Sequence, residues 1–221
     1  TAAREGLLEA YRPTWADHVP ARFRHPQDLW CGTFETVDVI AYNSKLLPAA
    51  EAPRHWDDLL DPKWKGKVVL RTHIGSGTMR TIYSCMIARQ VKATGSAEAG
   101  FDWLRRLHAN ARSLAADPTQ LNQKLARGEG VVTVWNLTDI LLQRKTYGFP
   151  FDFVLPDEGQ PILTEGLALV KGAPHPEEAR RFYEFVTTPE ALRVQAEEFF
   201  RIPVRDDVPR DRMPEWFRGL K

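Results

Sequence analysis

Residues 56–78 read WDDLLDPKWKGKVVLRTHIGSGT, and the prediction of the fold rests mainly on this segment. It indicates a short helix, a Pro/Gly turn, an apolar strand from Lys67 to Leu70, and a loop that ends in Gly-Ser-Gly-Thr. A helix should follow at once, because apolar residues then recur at helical spacing; these are Ile82, Met86, Ile87 and Val91. A strand, a small-residue loop and a helix start together present unpaired backbone amides, which is typical of an anion-binding site.

The loop has two interpretations that local sequence leaves open. In the first, Ser76, Gly77 and Thr78 bind an oxyanion through backbone N–H groups and a hydroxyl, assisted by the positive end of the helix dipole. In the second, a Ser or Thr hydroxyl simply caps its own helix. The two roles use the same residues.

The rest of the chain predicts an α/β protein, because strand and helix signals alternate from Trp30 onward. Predicted strands span residues 131–135, 151–155 and 162–170. Predicted helices begin near residues 97, 118, 136 and 176, the last two at an Asn and a Pro that suit helix starts.

Composition excludes several classes of function. The 221 residues are 43% hydrophobic and 27% charged, with a net charge of +1, so nothing draws the chain to nucleic acid or acidic lipid. No apolar run approaches the roughly 18 residues of a membrane span. The first residue is Thr1 and no signal peptide is visible, so we expect a processed or cut N-terminus. Cys31 and Cys85 are expected to be buried thiols, although they could pair in an oxidising compartment.

Several motifs in a fixed order carry a resemblance to a known family. Besides residues 56–78, they are Trp30-Cys31-Gly32-Thr33, residues 41–45 (AYNSK), residues 128–136 (GEGVVTVWN), residues 165–179 (EGLALVKGAPHPEEA) and Ile202-Pro203-Val204. Together they span nearly the whole chain. In this order they resemble the substrate-binding proteins of bacterial ABC importers, and in particular the ferric-binding branch.

The resemblance implies an α/β fold of the periplasmic-binding-protein type II class, with two lobes, a hinge and a ligand cleft. Residues 1–36 would be the remainder of lobe 1, residues 37–165 lobe 2, and residues 166–221 the return to lobe 1 with C-terminal helices. Strands near residues 35–36 and 164–166 would cross between the lobes. In the family a lobe's worth of elements precedes the segment where this chain starts, so we expect the first lobe to be incomplete.

The resemblance also implies site residues. Ser76, Gly77 and Thr78 occupy the loop that holds the phosphate or carbonate accompanying the metal in the family, and Asn136 matches a strand-end asparagine that reaches the same anion. From the residues alone, Asn136 has a second interpretation as a helix cap that accepts from the backbone of Asp139, with the Asp139 carboxylate capping in return.

The chain departs from the ferric branch directly after Asn136. The branch carries a pair of tyrosines there whose phenolates bind Fe(III), whereas this sequence reads Leu137-Thr138-Asp139. Its five tyrosines are isolated from one another: Tyr11, Tyr42, Tyr83, Tyr147 and Tyr183. Asp139 could instead hold a hard cation or a ligand amine, so whether a metal binds stays open. Relatives in this branch bind sugar phosphates, aminoalkyl phosphonates or thiamine.

Three further side chains are weaker candidates for ligand contact. Glu35 and Glu165 fall at the predicted crossings, where each faces either the cleft or solvent. His73 lies three residues before Ser76, and the six histidines lack metal-ligand spacing.

The function predicted from these observations is the solute-binding component of an ABC importer. It would capture an anionic small molecule, or a metal with a companion anion, and deliver it to a membrane permease. We expect a periplasmic or extracytoplasmic monomer with no cofactor and no enzymatic activity. The alternatives on the same scaffold are an enzyme, for which the G-x-S-x-G, P-loop and G-x-G-x-x-G motifs are missing, and the effector-binding domain of a transcription regulator.

The absence of a tyrosine pair gives a direct test of metal chemistry. Because Thr138 and Asp139 stand where the pair should be, the protein should not bind Fe(III) through phenolates. Ferric loading followed by a visible absorption scan should show no red phenolate-to-iron charge-transfer band. A strong band that disappears after a Tyr→Phe substitution would refute this expectation.

Overall fold

A computed structural model describes residues 2–72, 75–209, 211, 213 and 214. The chain divides into two compact units. The first comprises Thr1–Thr36 with Thr164–Lys221, and the second comprises Val37–Leu163. The boundaries between them fall inside two strands, β2 (Cys31–Asn43) and β7 (Ile162–Leu167).

The first unit is built around two small apolar clusters. Its regular elements are β1 (Leu8–Glu9), β8 (Leu169–Val170), α5 (Pro176–Val186), α6 (Pro189–Phe199) and β9 (Ile202–Pro203). β1 pairs antiparallel with β8, and β9 pairs with the start of β2. One cluster contains Trp15, Val19, Cys31, Leu169, Tyr183 and Val204, and the other contains Leu192, Ala196, Val208 and Met213.

The second unit is an α/β domain with a five-stranded sheet. After the second part of β2 come β3 (Val68–Arg71), α1 (Gly77–Thr94), α2 (Ala97–Ala109), β4 (Ala111–Ala115), α3 (Pro118–Ala126), β5 (Val132–Asn136), α4 (Leu137–Tyr147) and β6 (Phe151–Val154). The strand order is β4-β3-β5-β2-β6. β3 runs parallel to both β4 and β5, whereas β2 runs antiparallel to β5 and β6.

Burial explains why these segments become strands. Every residue of β5 is buried, as are Val68, Val69 and Leu70 of β3. A continuous apolar run of this kind is typical of parallel strands that are covered on both faces. Helix ends follow local rules as well: Asp117 caps α3 ahead of Pro118, and Gly95 ends α1 in the left-handed conformation that glycine tolerates.

Buried polar side chains connect the loops of the second unit to its sheet and helices. The Asn43 amide donates to the carbonyl of Leu125 at 2.9 Å, and the Asn110 amide donates to the carbonyl of Leu59 at 2.8 Å. Asp57 accepts two hydrogen bonds from Arg89 on α1 and one from the Trp103 indole on α2. These contacts join α1, α2 and the segment before β3.

The structure corrects several local predictions. The first segment of residues 56–78 forms two 3-10 helices, Trp56–Leu60 and Pro62–Trp64, because Pro62 interrupts the run. The predicted strand 162–170 is divided into β7 and β8. The expectation that both cysteines are buried is wrong for Cys85, which is exposed on α1; both cysteines are free. Among the described residues, no helix is both long enough and apolar enough to cross a membrane.

Asp38 is an unusual member of the sheet core. It lies on β2 directly opposite Asn136 of β5, it is fully buried, and neither carboxylate oxygen has a hydrogen-bond partner among the described residues. Burial raises the pKa of Asp38 to about 8 because a charged carboxylate loses its hydration there. The native state therefore holds this group protonated at neutral pH.

The raised pKa of Asp38 predicts a specific dependence of stability on pH. Unfolded Asp38 ionises near pH 4 and the folded residue near pH 8, so the native state binds the extra proton between these values and the free energy of unfolding falls as pH rises. Urea titrations of wild type and Asp38→Asn should agree near pH 4. By pH 9 the variant should be more stable by a few kcal/mol.

The exposed Asp102 on α2 supplies the matched control, since Asp102→Asn should leave the pH dependence of wild type unchanged. Parallel stability curves for wild type and Asp38→Asn from pH 4 to pH 9 would contradict the prediction.

Candidate anion-binding site

In the second unit β3 lies between the other two parallel strands, β4 and β5, so the chain changes its direction of progress across the sheet at β3. The chain leaves β3 through α1 and α2 to reach β4 on one side, then returns through α3 to β5 on the other side. Helices that connect in opposite directions pack on opposite faces of a sheet, so a crevice for a ligand is expected at the carboxyl ends of β3 and β5. Open α/β sheets bind ligands at such switch points.

The start of α1 lies at this crevice. Ser76 is the N-cap of the helix, and its hydroxyl oxygen accepts from the backbone N–H of Met79 at 3.2 Å. The capping interpretation is therefore confirmed for Ser76. Gly77 is the first helical residue and Thr78 is buried behind it. The Ser76 hydroxyl hydrogen and the first backbone amides of α1 are the donors that this end of the helix offers an anion.

The start of α4 lies on the neighbouring strand. Asn136 ends β5 and caps α4, with Oδ1 accepting from the backbone N–H of Asp139 at 2.8 Å. The predicted cap is confirmed in this direction. In the other direction the Asp139 carboxylate accepts from the Asn136 side-chain amide, at 3.1 Å, instead of from its backbone. The β3–β5 pairing thus brings two helix N-termini to one edge of the sheet.

Asp139 is held by more than its cap. The indole Nε1 of Trp135, which is buried on β5, donates to Asp139 Oδ2 at 2.8 Å. The same oxygen accepts from Asn136, so two donors fix the orientation of the carboxylate while Asp139 itself stays partly exposed. A carboxylate fixed in this way can receive a cationic group on its second oxygen.

Arg71 adds a positive charge beside Trp135. The parallel register pairs Val68 with Val132 and Val69 with Thr133, and continuing it places Arg71 beside Trp135. The guanidinium carbon lies 5.6 Å from the Trp135 ring centroid, a cation–π geometry. Arg71 is half-buried, and its Nε is fully buried without a hydrogen-bond partner in the part of the chain that the structure describes.

Of the other three predicted residues, two belong to the first unit. Glu35 is half-buried on β2 in the first unit, and Glu165 is an exposed residue of β7. His73 lies outside the residues that the structure describes.

The first unit also brings ligand atoms of His18, Asp206 and Asp207 within 4.8 Å of one another, but all three are exposed. Arg205 already neutralises Asp207 through two hydrogen bonds.

Sequence reasoning missed Arg71 and Trp135 as members of the site. The signal for Arg71 was a charged residue that directly ends a buried apolar strand, one position after Leu70. Trp135 sits in the equivalent position on β5, but its indole N–H gives no signal in the sequence. The assembled groups suit a ligand with an oxyanion at one end and a cation near Asp139.

The sequence matches a described protein family over almost all of its length. Residues 1–218 match the family described as bacterial extracellular solute-binding protein. A probable ABC transporter periplasmic-binding protein of Sinorhizobium fredii is 26% identical over 202 residues, which are 91% of this chain and 56% of the relative. A putative 2-aminoethylphosphonate-binding periplasmic protein of Salmonella typhimurium is 29% identical over 213 residues, 94% of this chain and 60% of the relative.

A solved structure agrees with this assignment. The periplasmic binding protein AfuA from Actinobacillus pleuropneumoniae, with exogenous fructose-6-phosphate bound, superimposes with a TM-score of 0.78 at 26% identity, covering 94% of this chain and 66% of that one. The chain therefore spans little more than half the length of the curated relatives and about two thirds of this structure. Its fold is that of the type II periplasmic binding proteins, and the chain belongs to the bacterial extracellular solute-binding protein family.

Proposed function

We propose that the protein is the solute-binding component of an ABC importer and that it captures a small phosphonate or phosphate carrying an amino group. The observation that carries the proposal is the set of groups at the carboxyl ends of β3 and β5. Two helices begin there, and Arg71 and the fixed carboxylate of Asp139 both contact the Trp135 side chain.

The oxyanion end of the ligand would bind at the start of α1. The backbone amides of Gly77 and Thr78 and the Ser76 hydroxyl are donors at a helix N-terminus, where the dipole favours negative charge. Relatives named for 2-aminoethylphosphonate and a neighbour with bound fructose-6-phosphate support a phosphorus oxyanion as the ligand group.

The amino end of the ligand would bind Asp139. An uncompensated carboxylate beside an oxyanion is unfavourable, since two negative charges repel in a partly desolvated site. A ligand ammonium removes this repulsion, so the pair of groups favours a zwitterion over a simple anion. Trp135 and Asn136 hold the carboxylate in place for that contact.

The remaining parts of the proposal rest on the family. The protein would act outside the cytoplasm, as a monomer, by reversible binding without covalent chemistry, and would deliver its ligand to a membrane permease. We also propose that residues 37–165 form the second lobe of the two-lobed fold, and that residues 1–36 and 166–221 form part of the first lobe.

Replacing Asp139 tests the proposed ligand class. Asp139→Asn should weaken binding of 2-aminoethylphosphonate by about 1.5–3 kcal/mol, because a charged contact to the ammonium is lost. Binding of ethylphosphonate, which lacks the amine, should be unchanged or tighter because repulsion is removed. Isothermal titration of the full-length protein with both ligands measures the difference.

Asp102→Asn serves as the control, because this exposed carboxylate on α2 pairs with Arg105 away from the crevice. Urea titration of each variant shows whether folding is preserved. Equal losses of affinity for the two phosphonates would eliminate the proposed contact between Asp139 and a ligand amine. Failure of wild type to bind any phosphonate or phosphate would eliminate the ligand class altogether.

A further inference from the structure

We infer that Arg71 binds the oxyanion of the ligand and selects a doubly charged phosphonate or phosphate over a singly charged one. The inference rests on the proposed function and adds to it a residue that determines specificity. It stands on the surroundings of the Arg71 guanidinium, on its place at the switch point, and on the sum of the charges around it.

Arg71 is a half-buried cation whose charge is not used within the described part of the chain. Its Nε is buried and has no hydrogen-bond partner among the residues described, and its contact with the Trp135 ring leaves the N–H donors in the guanidinium plane available. A guanidinium carries five donors in a planar fork that matches the oxygens of phosphate or carboxylate. A buried donor without a partner costs stability, so it calls for an explanation, and a bound anion supplies one.

Two other half-buried cations of the same unit are paired with carboxylates. Arg89 forms two hydrogen bonds with Asp57, and Lys124 pairs with Glu129 at 3.0 Å. No carboxylate among the described residues forms an ion pair with Arg71. Among the described lysines and arginines of this unit that are half-buried, Arg71 at the carboxyl end of β3 is therefore the one without a carboxylate partner.

Arg71 is at the same end of the sheet as the other proposed donors, which are the two helix N-termini. It is the last residue of β3, so the loop to α1 begins directly after it and Ser76 caps the helix five residues later. On the other side, Trp135 is followed by Asn136, which caps α4. The carboxyl ends of the paired strands β3 and β5 therefore carry Arg71 and precede both helix starts.

The charges at this position sum to a value that suits a dianion. Each helix N-terminus acts as roughly half a positive charge, so the starts of α1 and α4 together with Arg71 supply about two. Asp139 is balanced separately by the ligand ammonium in the proposed function. A phosphorus oxyanion becomes dianionic above its second pKa, which is about 6 for a phosphate monoester and higher for inorganic phosphate, so its affinity should rise as pH passes through that value.

Arg71 has a purely structural interpretation, in which it stabilises the sheet edge through Trp135. Lys63 provides the comparison, because its ammonium lies 5.1 Å from the Trp64 ring in the same unit. Substituting either cation removes a cation–π contact. Only the substitution of Arg71 should change ligand binding.

The experiment measures the affinity of the full-length protein for 2-aminoethylphosphonate and for inorganic phosphate between pH 5 and pH 8. Wild type should bind both more tightly as pH rises through the second pKa of the oxyanion. Arg71→Gln should bind about tenfold to a hundredfold more weakly at pH 8 and lose most of this pH dependence. Arg71→Lys keeps the charge without the fork, so it should retain the pH dependence with intermediate affinity. Lys63→Gln should match wild type.

Each outcome separates the residue from the proposed function. If Arg71→Gln binds like wild type at every pH, or only its thermal stability falls, the inference about Arg71 is overturned while the solute-binding function stands. An equal loss of affinity at pH 5 and pH 8 also overturns the selection of a dianion. If wild type binds neither probe, both the ligand class and the role of Arg71 are overturned.

Discussion

Hydrogen bonding between the parallel strands β3 and β5 is the constraint on which the candidate site depends. The register from Val68 and Val132 onward sets Arg71 beside Trp135 and places the carboxyl end of β3 next to that of β5, where α4 starts. A shift of one residue would move Arg71 to the opposite face, because side chains alternate along a strand. Full burial of β5 resists such a shift, since it would exchange the two sets of apolar contacts. The rigidity of the sheet therefore positions groups that otherwise lie on separate segments.

The second unit treats its ionisable side chains in two different ways. Asp57 and Arg89 neutralise each other and join α1 to the segment before β3, so their contact stabilises the fold of the unit. Asp38 and Arg71 have no such partners among the described residues. Asp38 avoids the cost of a buried charge by keeping a proton. An arginine cannot give up its proton at ordinary pH, so the charge of Arg71 must be met from outside the described chain.

The sequence predicted the type and order of most elements and missed the contacts between them. The strand–loop–helix unit around Ser76 followed from apolar periodicity and small residues, both of which are local. The cap at Asn136 followed from its spacing to Asp139. The contact between Arg71 and Trp135 could not be predicted from the sequence, because it depends on the pairing of β3 with β5. The two residues are 64 positions apart in the chain. The exposure of Cys85 was missed for a similar reason, since it depends on what packs against α1. The ligand roles of Ser76, Gly77, Thr78, Asn136, Asp139, Glu35 and His73 stay predictions.

The same groups bear on the choice between a metal and an organic ligand. A hard trivalent cation needs several anionic ligands, and among the described residues at the crevice only Asp139 supplies a charge of that sign. Arg71 lies over the face of the Trp135 indole, whose N–H donates to Asp139, and its positive charge would repel such a cation. A zwitterion meets both charges with the correct sign, because its oxyanion can face Arg71 while its ammonium faces Asp139. Within the described residues Arg71 and Asp139 form no ion pair with each other, which leaves both charges available to one ligand.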